Sequence, residues 1–212
     1  MRFGVDEAGK GPVLGSMFAA AVRADPAALP GGVADSKTLA PERRARLAAA
    51  VREAADAVAV SEVPVARIDD PETDMNALTV AAHAEALAGV ARDGLAGTVD
   101  AGDTDAARFG RRVAAGVEAA VEVTAEHRAD AGDDLVAAAS ILAKEAREAH
   151  VAALEAAYDD PVGSGYPSDP TTRAFLRTYV DRHGDLPPCA RSSWATCADV
   201  LAAAEQASLG EF

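Results

Sequence analysis

The chain has 212 residues, half of them apolar but only 4% aromatic, and a formal net charge of -14 at pH 7. That length suits one core-bearing domain, with or without an appendage, and no run of 18 apolar residues is available to cross a membrane. The first residues lack a signal-peptide pattern, so a cytoplasmic setting is expected, and such acidity ordinarily excludes nucleic-acid partners because duplex affinity comes largely from neutralised phosphates.

Phe3 and Val5 run into Asp6 and Glu7. Gly9-Lys10-Gly11-Pro12 follows, then a second apolar run from Val13 to Val22. This predicts strand, acidic pair, tight turn and strand. Adjacent strand residues point to opposite faces, so Asp6 and Glu7 cannot share one solvated row unless the strand ends or bulges there. A divalent cation is the obvious holder of such a pair. The glycine spacing fits neither a dinucleotide fold nor a P-loop, since Gly11 stands where a P-loop needs Ser or Thr.

A Pro/Gly loop (25–32) precedes a helix over 42–55 opened by Pro41, and alternation predicts a third strand over 58–68. Helix is expected over 76–92, strand over 95–99 ending at Asp100, helix over 103–115, and a fifth strand over 119–124 leading to Asp130. Helices over 133–158, 171–182 and 192–207 complete the chain, with a Gly163–Pro167 loop before the last two. Strands interleaved with helices argue for an α/β layer fold. The first turn is too short for a crossover, so strands one and two pair antiparallel and the sheet is mixed. Ligands of such sheets lie at strand ends, where Asp6, Glu7, Asp100 and Asp130 could converge.

Lysine occurs only at positions 10, 37 and 144. An acidic, lysine-poor, alanine-rich chain fits molar intracellular salt, where the Debye length is about 3 Å and repulsion from a like-charged partner is screened. An ordinary acidic protein that avoids nucleic acid fits the composition equally well. The three lysines stand out because a compact point charge has been kept there. Cys189 and Cys197 read as reduced and structural. His83, His127, His150 and His183 read as surface or packing residues, although His127 lies near Asp130 in sequence.

The order of motifs carries more information than any one of them. Asp6-Glu7-Ala8-Gly9-Lys10-Gly11-Pro12, then Asp35-Ser36-Lys37, then Val99-Asp100 and Ala129-Asp130, then Ala138-Ala139-Ser140-Ile141-Leu142-Ala143-Lys144, then Gly165-Tyr166-Pro167-Ser168-Asp169 resembles ribonuclease HII, colinearly from residue 2 to about Trp194. Arg191-Ser192-Ser193-Trp194 is similar to the archaeal and eukaryotic branch. The resemblance implies a ribonuclease H-like fold with a mixed five-stranded sheet flanked by helices. A catalytic domain would cover 1–185, with a C-terminal helical extension over 186–205. It implies a cytoplasmic, monomeric endonuclease that cuts the RNA strand of RNA/DNA hybrids and single ribonucleotides embedded in duplex DNA, leaving 5′-phosphate and 3′-hydroxyl ends.

Carried over residue by residue, the catalytic and metal-binding acids are Asp6, Glu7, Asp100 and Asp130, holding two Mg²⁺ or Mn²⁺ ions with Asp6 as the bridging ligand. The substrate contacts are Gly9, Lys10, Gly11, Ser36, Lys37, Lys144 and Tyr166. Lys10 departs from the family's more frequent arginine, which puts a bidentate phosphate contact in doubt. The tail 206–212 resembles a motif for docking on the sliding clamp PCNA, through Gln206, Leu209 and Phe212, although the usual second aromatic is missing. The competing readings are another ribonuclease H-like nuclease and a non-catalytic acidic cation-binding protein.

Overall fold

The first strand, β1 (Arg2–Ala8), lies at the centre of the sheet, and every other strand is arranged by what it can pair with there. The computed structural model describes residues 1–33 and 40–209, with side chains up to Gln206. The sheet order is β3-β2-β1-β4-β5. β2 (Met17–Ala24) runs antiparallel to β1, and β3 (Ala57–Val63) antiparallel to β2. On the other side β4 (Ala96–Asp100) and β5 (Glu122–Glu126) are parallel to β1 and to each other. The sheet is therefore mixed, as the short first turn required.

Packing divides the chain into two units, a different grouping from the linear division at residue 185 expected from the sequence. The first holds Met1–Lys10, Met17–Val63 and Asp74–Arg147; the second holds Gly11–Ser16, Pro64–Thr73 and Glu148–Phe212. In the first unit, α1 (Pro41–Ala54) and α5 (Asp134–Ala157, as far as Arg147) share a core with one face of the sheet. Ala20, Val22 and Ala24 of β2 meet Ala48 and Val51 of α1 and Leu135, Ala138, Ile141 and Leu142 of α5. Helix α3 (Met75–Ala88) packs on β1, β2 and β3, and α4 (Ala106–Ala115) on β5.

Small residues set how closely these layers approach. A Cβ added at Gly4 would fall 2.2 Å from the Leu135 carbonyl carbon and 2.3 Å from the Val136 nitrogen, so α5 rests its backbone directly on β1.

Several element boundaries differ from expectation for identifiable reasons. β2 starts at Met17 rather than Val13, because Val13 and Leu14 donate their N–H groups to the Gly165 carbonyl and Gly15 donates to that of Cys189. The third strand stops at Val63 rather than Ile68. Pro64 has no N–H for the ladder and instead precedes a short helix, α2 (Val65–Ile68). The fifth strand lies later, at Glu122–Glu126, and Asp130 does not follow it directly but sits in a 3-10 turn, Ala129–Ala131.

In the second unit, α6 (Pro170–His183) and α7 (Ala195–Leu209) pack around Val13, Leu14, Val162, Phe175, Leu176, Val180 and the free, buried Cys189 and Cys197. Arg191 is fully buried, donates from Nε to the Gly15 carbonyl at 2.8 Å and stacks over Trp194. Asp69 accepts from the backbone and hydroxyl groups of both Ser192 and Ser193. The Arg-Ser-Ser-Trp stretch is thus a structural clasp. Among the described residues no helix is long and apolar enough to cross a membrane.

Gly4→Ala forces a methyl group into the α5 backbone. The variant should lose about 3 kcal/mol of stability, an overpacking cost at the upper end of the usual range. Urea melts of the two chains in the same molar-salt buffer check this, and equal midpoints would rule out the close β1–α5 contact.

Candidate active site

β1 keeps its regular pairing through the acidic couple, with Asp6 opposite Ala20, Glu7 opposite Ala19 and Ala8 opposite Phe18. No bulge is needed, because the two side chains use opposite faces. Asp6 turns toward α5, where the Ser140 hydroxyl hydrogen-bonds its carboxyl group. Glu7 turns toward α3, where His83 Nε2 lies 2.8 Å from Oε2. Val5 and Val99 are the last paired positions of β1 and β4, so Asp6 and Asp100 follow them on adjacent parallel strands.

Asp100 Oδ1 accepts the Ala129 N–H at 2.7 Å, which anchors the 3-10 turn that carries the buried Asp130. Arg128, immediately before that turn, has φ of 60°. A left-handed non-glycine residue costs about 1–2 kcal/mol, strain retained where the chain must bring Asp130 back toward β4.

The electrostatics of the cluster are unfavourable by themselves. Asp6 is only 5% exposed. Burial, then the charges of Glu7 and Asp100, push its carboxyl group well above the ordinary range, against the Ser140 hydrogen bond. Asp100 is raised too, by burial first and then by Glu7 and Asp130, against the Ala129 bond. Glu7 goes the other way. Burial would raise it, but the hydrogen bond and charge of His83, followed by the charge of Lys10, hold it below its usual range. Asp103 stands apart from this competition, because Arg108 Nη2 lies 2.6 Å from its Oδ2 and holds the carboxyl down to about 2.

Two of the three lysines border this cluster. Lys10 donates to the Gly102 carbonyl, and its charge bears on Glu7. Lys144 Nζ donates to Ser140 Oγ at 2.8 Å, and Ser140 in turn bonds Asp6. Ser36 and Lys37 lie outside the described residues.

Among the described residues, no three His, Cys, Asp or Glu side chains are already closed around a single ion. The donor set nevertheless suits hard divalent cations: several carboxylates, one of them deeply buried and held against its like-charged neighbours. Mg²⁺ and Mn²⁺ need few protein ligands, since they keep waters and borrow phosphate oxygens.

The family model of ribonuclease HII matches residues 3–197. The chain is 73% identical over its full length to the ribonuclease HII of Haloarcula marismortui, a halophilic archaeon, covering all of that protein. The chain belongs to the ribonuclease HII family. Members of this family are divalent-metal-dependent endonucleases acting on RNA/DNA substrates. Among solved structures, the ribonuclease H2 of Pyrococcus horikoshii superposes with a TM-score of 0.89 at 35% identity, covering 96% of this chain and 98% of that one. The ribonuclease HII of Archaeoglobus fulgidus, solved in complex with PCNA, gives 0.84 at 35% identity, covering 94% and 96%. Membership of a nucleic-acid-cutting family shows that the acidic composition does not exclude a nucleic-acid substrate.

Of the remaining expected contacts among the described residues, Gly11 and Tyr166 belong to the second unit. There Tyr166 is 46% exposed, and its Cε1 would lie 3.8 Å from a Cβ built on Gly11. Asp169 fastens the tyrosine's loop by accepting from the Ser164 N–H and hydroxyl and from the Thr171 N–H, which holds its carboxyl down to about 2. Gly165 donates to Thr172 Oγ1. Gln206 is exposed on α7, while the Leu209 side chain and Phe212 lie outside the described residues.

As read from the sequence, His127 and His183 are surface residues and His83 packs in the core against Phe109, but His83 also carries a polar contact that the sequence did not announce. His83 is fully buried on Glu7. His150 is also engaged, its Nε2 accepting the Ser16 N–H at 3.2 Å.

A carboxyl group raised on folding contributes stability below the ordinary carboxylate range and loses it as pH rises through the raised value. At neutral pH without divalent ions, Asp6 is therefore a burden on the fold. Asp6→Asn keeps the shape and removes the charge, so it should abolish cleavage. In chelator-containing buffer it should also raise the melting temperature, by about 2–4 °C for each kcal/mol relieved. A melting temperature lowered by the change would contradict the electrostatic account, whatever happened to activity.

Proposed function

We propose that the chain cuts single ribonucleotides embedded in duplex DNA as well as the RNA strand of hybrids, by hydrolysis that uses two divalent ions and leaves 5′-phosphate and 3′-hydroxyl ends. The observation that carries this reading is the buried, mutually repelling set of Asp6, Glu7 and Asp100, with Asp130 tied to Asp100 by the Ala129 turn. A polymer of phosphates approaching such a cluster needs cations between the two.

Asp6, Glu7, Asp100 and Asp130 would hold the ions, with Asp6 the central ligand. When bound, Mg²⁺ or Mn²⁺ supplies an activated water and charge stabilisation at the departing 3′ oxygen. The protein's own part is positional. Ser140 and the Glu7 N–H fix Asp6, the latter at 2.7 Å from Oδ1, and Ala129 fixes Asp100. Lys10 and Lys144 bring positive charge next to the carboxylates. Ser36 and Lys37 would add phosphate contacts. Reading the ribonucleotide means reading its 2′-hydroxyl. Gly9, with φ of 91°, and Gly11 offer backbone without side chains, and Tyr166 offers an exposed ring held by a pinned loop.

A 5′-labelled duplex with one ribonucleotide, incubated with Mg²⁺ or Mn²⁺ across a KCl series, tests the reading. The expected product is a single cut on the 5′ side of the ribonucleotide. Tyr166→Ala should slow that cut at least tenfold while changing duplex affinity by no more than threefold or so, since stacking on one sugar contributes little beside the phosphate contacts. Cleavage of a branched junction instead, or no cleavage with either ion, would favour the competing readings.

The tail supports a second proposal, docking on the sliding clamp. Gln206, Leu209 and Phe212 follow an i, i+3, i+6 spacing that would put Leu209 and Phe212 on one face of a single helical turn as two apolar anchors, and the ribonuclease HII of Archaeoglobus fulgidus is known in complex with PCNA. Tethering would raise the enzyme's local concentration on newly made DNA in the cytoplasm without new active-site contacts. Calorimetric titration of the full chain against the cognate clamp should give heat that disappears with Phe212→Ala. Undiminished binding by the variant would exclude this mode of docking.

A further inference from the structure

α3 is buried around most of its circumference, through Leu78, Val80, Ala82, Ala84, Ala86 and Leu87, and among them stands His83, fully buried. A buried polar ring is costly unless it makes a hydrogen bond. His83 makes one at Nε2, 2.8 Å from Glu7 Oε2, while Nδ1 is buried with no hydrogen-bond partner among the described residues. Whatever its charge, a ring nitrogen facing a carboxylate must donate, so the proton sits on Nε2. Packing fixes the ring plane: Phe109 of α4 meets it edge-on, with centroids 5.1 Å apart at 84°. The imidazole has one polar task and is clamped to perform it.

Among the described residues His83 gives the Glu7 carboxylate its side-chain hydrogen bond, with the charge of Lys10 acting alongside. Asp6 has both the Ser140 hydroxyl and the Glu7 N–H, and Asp100 has the Ala129 N–H, but the carboxylate of Glu7 is reached from the opposite face of the sheet. Its Oε1 lies against Gly102, where an added Cβ would be 3.5 Å away. With Oε2 engaged by His83, Oε1 is the oxygen left to face a ligand.

We propose that His83 is a positioning residue that fixes the Glu7 carboxylate for a divalent cation from behind the sheet. The inference rests on the metal reading given above and deepens it. Partners of this kind behind a ligand carboxylate typically set metal affinity by about 10–100-fold.

The test measures ion binding directly, through the electron paramagnetic resonance signal of free Mn²⁺ titrated with the full chain in molar KCl. The Asp6→Asn chain is the control that subtracts ions held by the acidic surface. His83→Leu removes the donor and should weaken Asp6-dependent binding by about tenfold or more. His83→Gln extends an amide N–H to the place of Nε2 and should stay within about threefold of the parent, whereas His83→Asn, one bond too short, should behave like Leu. Thermal melts identify any variant that fails to fold, and the Gln and Asn pair decides the matter if Leu does not fold. Unchanged binding in a folded Leu or Asn variant, or equal loss in Gln and Asn, overturns the positioning role. If the parent chain itself shows no Asp6-dependent binding, the metal reading falls first and this inference with it.

Discussion

Burial of the Asp6 carboxylate against the N-terminal part of α5 is the constraint on which the first unit depends. A charge there is tolerable only if hydrogen bonds and an external cation compensate it, and it can be reached only if α5 lies close to β1. Gly4 allows the close approach, since the Leu135 backbone occupies the space a side chain would need. The alanines of α5, Ala137, Ala138, Ala139 and Ala143, keep the layer thin enough for Ser140 to reach the carboxyl group. The low aromatic content of the chain is then partly a geometric requirement, because bulky side chains would lift the helix off the strand and remove the hydroxyl from Asp6.

Asp6 and Asp100 were legible as candidates because an apolar strand run gives way to a carboxylate at each, while Asp130, in its 3-10 turn, was marked only by the order of motifs. Their arrangement was less so. A two-residue period shows that Asp6 and Glu7 diverge, but not whether the strand bends to reunite them or two helices receive them separately. Here the second solution holds, and it requires α3 and α5 on opposite faces of the sheet. His83 was hidden for a related reason. On an amphipathic helix a histidine at a core position reads as packing, and only the pairing of β1 with its neighbours reveals which carboxylate lies behind it. The third strand was overextended because alternation continues through Val63 and Val65, while the missing N–H of Pro64 ends the ladder between them. The placement of Asp130 depended on a left-handed Arg128, a conformation that no side-chain pattern announces.

Between Lys10 and Gly11 the glycine turn after β1 passes from the first unit to the second. Through Lys10 it belongs with the carboxylates, where the lysine is held by the Gly102 carbonyl. From Gly11 it belongs with the second unit, where Val13 and Leu14 hang from the Gly165 carbonyl, Leu14 bridges to Ala190, and Arg191 holds Gly15. Tyr166 is the residue next to Gly165, so the bonds that fix the turn also fix the loop carrying the tyrosine. Backbone groups do most of this work, and for that reason the sequence motif consists of glycines and a proline.

The scarcity of lysine gives the remaining cations a sharper meaning than they would have elsewhere. In molar salt, charges a few ångströms apart still interact while more distant ones are screened. A surface of carboxylates then costs little at long range, and a positive charge is effective only in near contact with its target. Both described lysines meet that condition, Lys10 beside Glu7 and Lys144 one hydroxyl away from Asp6. Arginine, with its broad planar fork, would suit bidentate pairing to an exposed phosphate. An ammonium group is compact enough to donate to a single carbonyl or hydroxyl next to a buried carboxylate. The two described lysines are therefore explained by the crowding of the carboxylate cluster.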